Sequence, residues 1–493
     1  MIKCGYKTKS KQKGYKMKKI FAIIMTACLL ASLLCVTAFA ADAPAEDVVL
    51  RVSALKKDDT TVVIKDYTVF EDGWNAAMEL AANSKELNKN DYARVIVDIY
   101  ADWNANENGE FTKEFFNGKG FNWDAIYFQP NVRMTLNLNG HTINRGLTEN
   151  EYNGEVMYID EDAEVIINDG TITGGNSDNG AGGIHIDGAR VTLNNVNIVG
   201  NIADGDNGAG IALYDCATLK MNGGSIADNI NDSMVDALGA GIYAENSTVI
   251  LEGVTLRNNQ FMSTAHSGAA IALNRSNLTM NDCSVIGNGT MDSARGTVGS
   301  LSTIDCGAYS EVDIKNTSFT GNGIAAAVYS TTRYTALLNI VGTVSLESCT
   351  VTGNTVAYLL KAMNKNVSIS DSTFTDNNAN VYLGYADDYT TFTNCTFNHN
   401  TGSSDKGYDS FYFETKKSGV IFTDCEFGDS TFNDRSFATF VESSRGKSVG
   451  SIFGDGSIAT IVSLVALMAS IAAISVSVAS SKKSASAKND DEE

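Results

Sequence analysis

Between residues 138 and 427 one pattern of apolar and polar positions recurs about eleven times. It reads apolar-x-polar-small-x-apolar-x-x-Asn, as in LNNVNIVGN ending at Asn201, MNGGSIADN at Asn229 and MNDCSVIGN at Asn288. Further copies end at Asn259, Asn322, Asn354, Asn377 and Asn400. The paired apolar residues sit five apart, from Leu138/Ile143 through Leu193/Ile198 and Met280/Val285 to Phe422/Phe427. The period varies from about 23 to 34 residues, which is the range of a solenoid with loops of unequal length. Each repeat carries a second apolar run after Gly and Ala: GAGGIHI at 180–186, GAGIAL at 208–213, GAGIYA at 239–244 and GAAIAL at 268–273. These runs alternate with period two, so they predict short strands with one buried face.

No helical period of useful length interrupts residues 130–440. Parallel strands normally need long crossovers, but here the crossover is itself more strand, so the chain must wind as a coil. Equivalent residues then stack about 4.8 Å apart, and eleven coils make a rod about 50 Å long. The recurring Asn (201, 229, 259, 288, 322, 354, 377 and 400) is expected at a sharp corner, tolerating left-handed dihedrals and forming an amide ladder with its copies. This structural role outweighs glycosylation at sequons such as Asn246, Asn277, Asn316 and Asn394, which an Asn- and Thr-rich chain produces by chance.

The ends carry different patterns. From Met17 the chain has Lys18 and Lys19, an apolar stretch from Ile20 to Val36 and a small-x-small site at 38–40, the form of a secretory signal peptide. Residues 458–479 hold no charge and are long enough for one membrane-spanning helix. Lys482 and Lys483 follow and place the tail inside, with the bulk of the chain outside. Residues 42–130 lack the repeat and read as an α/β cap: strands around 48–54, 60–70 and 93–103, and an amphipathic helix over 71–87 with Trp74, Ala77, Met78 and Leu80 on one face. The expected architecture is therefore all-β: a solenoid over 131–440, a small N-terminal α/β cap, a linker at 441–457, a transmembrane helix at 458–479 and a cytoplasmic tail at 480–493. The expected location is the cell surface.

The repeats resemble right-handed parallel β-helix proteins of the pectin-lyase-like superfold. The pairing of GAGI and GAAI runs with FTGN, FTDN and FNHN is similar to the repeats of polymorphic outer-membrane proteins. The opening MTLNLNGHTINRG at 134–146 resembles the first coil of many secreted bacterial β-helices. The resemblance covers roughly residues 130–430 and implies the fold. It does not choose among the lyases, hydrolases, adhesins and stalks built on that fold. No strand run of a C-terminal outer-membrane barrel follows the repeats, which departs from the outer-membrane proteins and favours a single-membrane envelope.

The formal charge is −21, with eight Lys and no acid on residues 1–19, so the remainder carries −29. Such a surface repels nucleic acid and polygalacturonate and favours neutral glycans or cations. Beyond the leader lie six cysteines, at 216, 283, 306, 349, 395 and 425. Four of them share the repeat position of Val196, Thr317 and Ser372, so they read as free, buried thiols in one stack. Without a CxxC or a His cluster, zinc is not indicated. Asp102, Asn104, Asn106 and Asn108 alternate as calcium ligands would, but Gly109 and Glu114 miss the loop register. The DGDNG loop at 204–208 is equally well a turn. Calcium at such a loop is the one cofactor the sequence leaves open; no other is expected.

Polygalacturonase-like aspartates and a lyase-like Arg base beside carboxylates are both missing from the repeat, and the Arg residues share no repeat position. His141 reads as part of the first coil. One face stands out: with Ile184 and Ile186 inward, His185 and Asp187 point outward, followed by Ala212/Tyr214 and Tyr243/Glu245. Rings beside carboxylates suit sugars, and Asp187 and Glu245 lie about 9.6 Å apart by strand spacing, at the edge of an inverting glycosidase pair. The sequence thus points to a non-enzymatic adhesin or glycan-contacting stalk, with host or neighbouring-cell proteins as further partners. The alternatives are a carbohydrate-active enzyme and a plain envelope spacer.

Overall fold

In the computed structural model the described residues run from 44 to 441, without 106–119, 123–124, 206, 234–236, 264–266, 296–300, 324–334, 363–366, 384–389, 402–412, 416–419 and 429–437. The signal segment, the apolar segment 458–479, its flanks, Asn106, Asn108, Gly109 and Glu114 lie outside them. Among the described residues no helix is long and apolar enough to cross a membrane.

From residue 133 onward the strands pair in parallel, each with its equivalent one coil away. Each coil has three walls. The first comprises strands such as Thr218–Asn222 and Thr248–Glu252, with Leu193, Met221, Leu251 and Met280 stacked inward. A turn leads to a three-residue second wall, such as Ser225–Ala227, with Ile198, Ile226, Leu256 and Val285 in register. After the recurring Asn comes a short strand, such as Ile202–Ala203 and Ile230–Asn231, which stacks in its own five-stranded sheet, and then the third wall, such as Ile184–Asp187, Ile211–Tyr214 and Ile242–Glu245. The inward residues of all three walls form one continuous core, with Ala336, Ala357 and Tyr358 in a separate small cluster. Its filling changes along the axis: Ile, Leu and Met dominate the early coils. Phe374, Phe392, Phe397 and Phe422 fill the last ones, with ring pairs 374–397 and 392–422 stacked at 4.8 and 4.9 Å.

The first repeat departs from the expected five-residue spacing. Leu136, not Leu138, stacks on Ile167, while Ile143 stacks on Ile172. The reason is a longer turn through Asn139 and Gly140, both at positive φ, closed by His141 N–H donating to the Leu138 carbonyl at 2.8 Å. Leu138 is still fully buried, because it fills the space above Gly170. A Cβ on Gly170 would lie 2.3 Å from the Leu138 Cβ.

The N-terminal region is partly coil already. Leu50–Lys56 pairs antiparallel with Thr61–Tyr67 and with Tyr92–Ile99. Tyr92–Ile99 then pairs in parallel with Arg133–Asn137, and Trp103–Asn104 with Thr142–Asn144. Tyr92–Ile99, Trp103–Asn104 and Ala125–Phe128 therefore contribute a coil's walls inside the segment read as cap. Helix Phe70–Ala82 covers the open end with Phe70, Trp74, Ala77, Met78 and Ala81 buried, and Leu80 packs partly against them. A second helix, Ser84–Lys89, is separated by Asn83, whose side chain caps Glu86 N–H.

Candidate functional site

Two polar columns run along the coils, and their geometries differ. The first is the Asn column. Asn201, Asn229, Asn259, Asn288, Asn322, Asn354, Asn377 and Asn400 are all buried. Each of the first seven donates through Nδ2 to the Oδ1 of the next, at 2.8–3.1 Å. The same Oδ1 accepts the preceding backbone N–H, and Nδ2 also reaches a carbonyl of the previous coil, as Asn288 does to Leu256 at 3.0 Å. The left-handed residue at this corner is not the Asn but the one before it: Gly200, Asp228, Asn258, Gly287, Gly321, Gly353, Asp376 and His399 all have φ between 48° and 68°. The division of labour is physical. A Gly, Asp, Asn or His takes the turn, which frees the next residue's amide to point inward along the axis. A second, half-buried amide ladder lies outside the first wall, unforeseen in the sequence reading: Asn222 donates to Asn194, Asn194 to Asn168 and Asn168 to Asn137, at 2.7–2.8 Å.

The other column lies on the outer face of the third wall. His185, Asp187, Tyr214, Tyr243 and Glu245 are there, together with Tyr127 and Tyr158, which precede them on Ala125–Phe128 and Met157–Ile159. Their rings form a ladder: Tyr127–Tyr158 at 5.9 Å, Tyr158–His185 at 4.6 Å, His185–Tyr214 at 5.1 Å and Tyr214–Tyr243 at 5.6 Å. Both faces of the His185 ring are therefore taken by tyrosines, and only ring edges are offered outward. Tyr127 and Tyr158 follow no GAGI-type run, so the repeat pattern did not mark them; their in-register aromatic character was the available signal.

The outward positions Ala212, Tyr243 and Ala272 are themselves buried, at 0, 4 and 1 % exposure, so this face is less open than alternation alone implies. The glycine that opens each GAGI run folds over the strand it precedes. A Cβ on Gly208 would lie 2.8 Å from the Ala212 Cβ, and one on Gly268 2.5 Å from the Ala272 Cβ. Half-buried Asp187, Tyr214 and Glu245 keep access to solvent.

Carboxylates flank the rings. Tyr127 donates its hydroxyl to Asp160, Tyr158 to Asp187 at 3.4 Å and Tyr243 to Glu245 at 3.2 Å. Asn274 donates to the other Glu245 oxygen at 3.1 Å. Burial and these neighbouring carboxylates hold the Tyr127 and Tyr158 hydroxyls protonated well above the usual phenol range. Burial, with Asp215 and Asp160 nearby, raises Asp187. Glu155, one turn before Tyr158, is only 3 % exposed, and burial pushes it up to about 7 against the pull of Arg145. Burial also pushes His185 down to about 4. Two buried oxygens here, Glu155 Oε2 and Asp187 Oδ1, have no hydrogen-bond partner. Gly180 marks where the two titratable groups converge: the point its Cβ would occupy is 3.1 Å from His185 Nδ1 and 4.0 Å from Glu155 Oε2.

Further along the wall the column turns polar and closes on itself. Asp305 accepts from Ser267, from Ser302 at 3.3 Å and from Asn339 at 3.0 Å, with Lys361 next in register.

The other sequence candidates are occupied elsewhere. Asp102 Oδ1 accepts Thr142 N–H at 2.9 Å and faces His141 Nδ1 at 3.1 Å, so it closes a turn. Asp204 accepts from Asn150. Among the described residues no group of three His, Cys, Asp or Glu side chains could hold a metal ion. Two arginines do share a column, contrary to expectation: Arg133 and Arg190 flank Glu164 on the first wall, at 3.4 and 2.7 Å. All six cysteines described are free; Cys283, Cys349 and Cys395 are buried as expected, and so is Cys306, which lies outside that stack. Cys216 is exposed, because it sits at positive φ in the corner after Tyr214, and Cys425 is half-buried.

No curated protein and no solved structure matches the chain. A family model does match: residues 124–300 fit the right-handed β-helix region. That stretch begins at the Tyr127 strand and contains every ring of the third-wall ladder, and its strands stack in parallel register. The two findings together support a right-handed parallel β-helix of the pectin-lyase-like kind.

Proposed function

We propose that this chain is a cell-surface β-helix that contacts neutral glycans without cleaving them. The observation that carries the reading is the third-wall ladder of rings edged by Asp160, Asp187 and Glu245. Because the rings already stack on one another, recognition proceeds through sugar hydroxyls meeting carboxylates and ring edges, not through sugars lying on ring faces. The strong negative charge favours neutral polymers over anionic ones. Residues 17–40 export the chain and 458–479 anchor it, with the solenoid outside. The likeness of the repeats to polymorphic outer-membrane proteins fits a surface role.

One observation favours the enzyme alternative. Glu155, raised to about 7 by burial and keeping an oxygen without a hydrogen-bond partner, has the poise of a general acid. Glycan-array binding and polysaccharide release by the purified chain decide between them. Binding without release is the expected result; release of reducing or unsaturated sugars would overturn the non-enzymatic reading. Silence in both would leave a spacer.

A further inference from the structure

One interior column has a composition that changes along the axis. It follows the first wall, at the position of Val196, which stacks on Gly170. In later coils it holds Cys283, Thr317, Cys349, Ser372, Cys395 and Cys425. The order follows from the contacts: Cys283 N–H donates to Thr317 Oγ1 at 3.3 Å, Cys349 N–H to Ser372 Oγ at 3.0 Å and Cys395 N–H to Cys425 Sγ at 3.5 Å. A hydroxyl residue thus separates Cys283 from Cys349, and another separates Cys349 from Cys395. Cys395 and Cys425 alone in this column are neighbours.

The strands before them pair Thr393 with Thr423, and a bridge after them pairs Thr396 with Glu426. The two cysteines are therefore held directly opposite, with Cα atoms about 4.8 Å apart by strand spacing, inside the span a disulfide needs. Each thiol lies 3.4 Å from the carbonyl oxygen two residues earlier, so bond formation requires one side chain to rotate about its Cα–Cβ bond toward the other.

We propose that Cys395 and Cys425 are joined by a disulfide when the chain folds in an oxidising compartment, stapling two consecutive coils. The co-reactant is the disulfide of a thiol oxidoreductase. Cys425 is the half-buried member of the pair and is reached first. Its thiol loses a proton and attacks one donor sulfur, displacing the other as a thiolate. The Cys395 thiol then loses its proton and attacks the Cys425 sulfur, releasing the second donor thiolate. Two S–H bonds are lost and one S–S bond forms, while the donor takes up two electrons and two protons. Hydrogen bonding from Cys395, whose backbone N–H donates to the Cys425 sulfur, holds the Cys425 thiol below its ordinary range, which favours the first step. The exposed Cys216 and the hydroxyl-separated Cys283 and Cys349 stay reduced.

The test is peptide mapping of the full chain, secreted from cells, trapped with an alkylating agent at low pH and digested with trypsin. The expected product links peptides 366–406 and 418–435 in one species, two hydrogens lighter than their sum and separated by reductant. Alkylation of both peptides, or a link from Cys395 to Cys349, overturns the proposal. Cys425→Ser provides the second reading. It is expected to leave Cys395 alkylated, since Ser372 insulates it from Cys349. A new Cys395 crosslink in that variant would show that stacking order does not govern pairing.

Discussion

The buried Asn column and the third-wall ring column are both polar and both advance one coil at a time. In the Asn column every amide from 201 to 377 donates to the next, and the backbone takes what remains. In the ring column the bonds are local, between a tyrosine and its nearest carboxylate, and Glu155 Oε2 and Asp187 Oδ1 are left over. Burying an unpaired polar atom costs free energy. A fold that satisfies eight amides so completely shows that the chain can meet its polar groups where only structure is at stake. Asn176 Oδ1 and Thr390 Oγ1 are also left unpaired, but among the described residues Glu155 and Asp187 are the carboxylates that bury such an oxygen, and they share one patch.

The largest effect that would break this comparison is in the Asn column. Asn288→Ala removes the acceptor of Asn259 N–H and Nδ2, and removes the donor to Asn322 and to the Leu256 carbonyl. Several buried groups lose partners at once, so the cost should be about 4 kcal/mol in a urea melt. A loss below about 1 kcal/mol would mean that water or neighbouring coils replace the amide, and the column would no longer differ in kind from the rings.

The next effect is electrostatic and concerns Glu155 and His185. Glu155 is raised from 4.5 to about 7, so the folded state holds its proton more tightly than the unfolded state. Its contribution to stability falls as pH rises from about 4.5 to 7, by on the order of 3 kcal/mol in total. His185 is lowered from 6.5 to about 4, so the unfolded state binds more protons in that window. Its contribution is complete above 6.5 and is lost as pH falls toward 4. The two slopes oppose each other in the wild-type chain, with the raised Asp187 adding to the falling one. Glu155→Gln should therefore expose a stability that rises with pH between about 4 and 6.5, and His185→Asn one that falls with pH between about 4.5 and 7. Melting temperatures across pH 4–8 check both. Identical profiles in all three proteins would remove the electrostatic argument for this patch.

Much of the fold was legible because solenoid stacking repeats the same physical demand in every coil. Leu193, Met221 and Leu251 must fill one column, and the sequence marks them at regular offsets. The five-residue spacing misaligns the first coil because its longer turn uses Asn139 and Gly140, which look like the ordinary turn residues of later coils. The corner's left-handed residue is hidden for a related reason: the Gly, Asp, Asn or His before each Asn carries the positive φ, while the recurring Asn is the more conspicuous letter. The ring column was only half legible. Periodicity reported which residues alternate outward, but not that Gly208 and Gly268 lie back across Ala212 and Ala272. Glu155 was invisible, since burial of a loop carboxylate depends on coils before and after it.

A smaller effect sharpens the contrast by separating stability from binding. Tyr214 stacks on His185 and touches Tyr243, yet remains half-buried. Tyr214→Ala should cost about 1–2 kcal/mol from lost ring contacts and burial. If the ladder is the glycan-contacting face, the same variant should lose about tenfold in affinity on the array, equal to about 1.4 kcal/mol. Equal binding by variant and wild type would move recognition from the rings to the loops.

Glu245→Gln gives the smallest change in stability and the cleanest chemical answer. The amide oxygen can still accept one hydrogen bond from Tyr243 or Asn274. The stability change should stay within about 0.5 kcal/mol. The charge, however, is gone. A glycan held by charge-assisted hydroxyl contacts would bind a few-fold more weakly, with no sugar released by either protein. An inverting enzyme that needs Glu245 would behave differently: wild type would release sugar, and the variant would bind but not turn over. Glu245 is already engaged by Tyr243 and Asn274, and Tyr214 occupies the coil between it and Asp187. An attacking water would have to share that crowded gap. The weaker-binding, zero-release result is therefore the expected one.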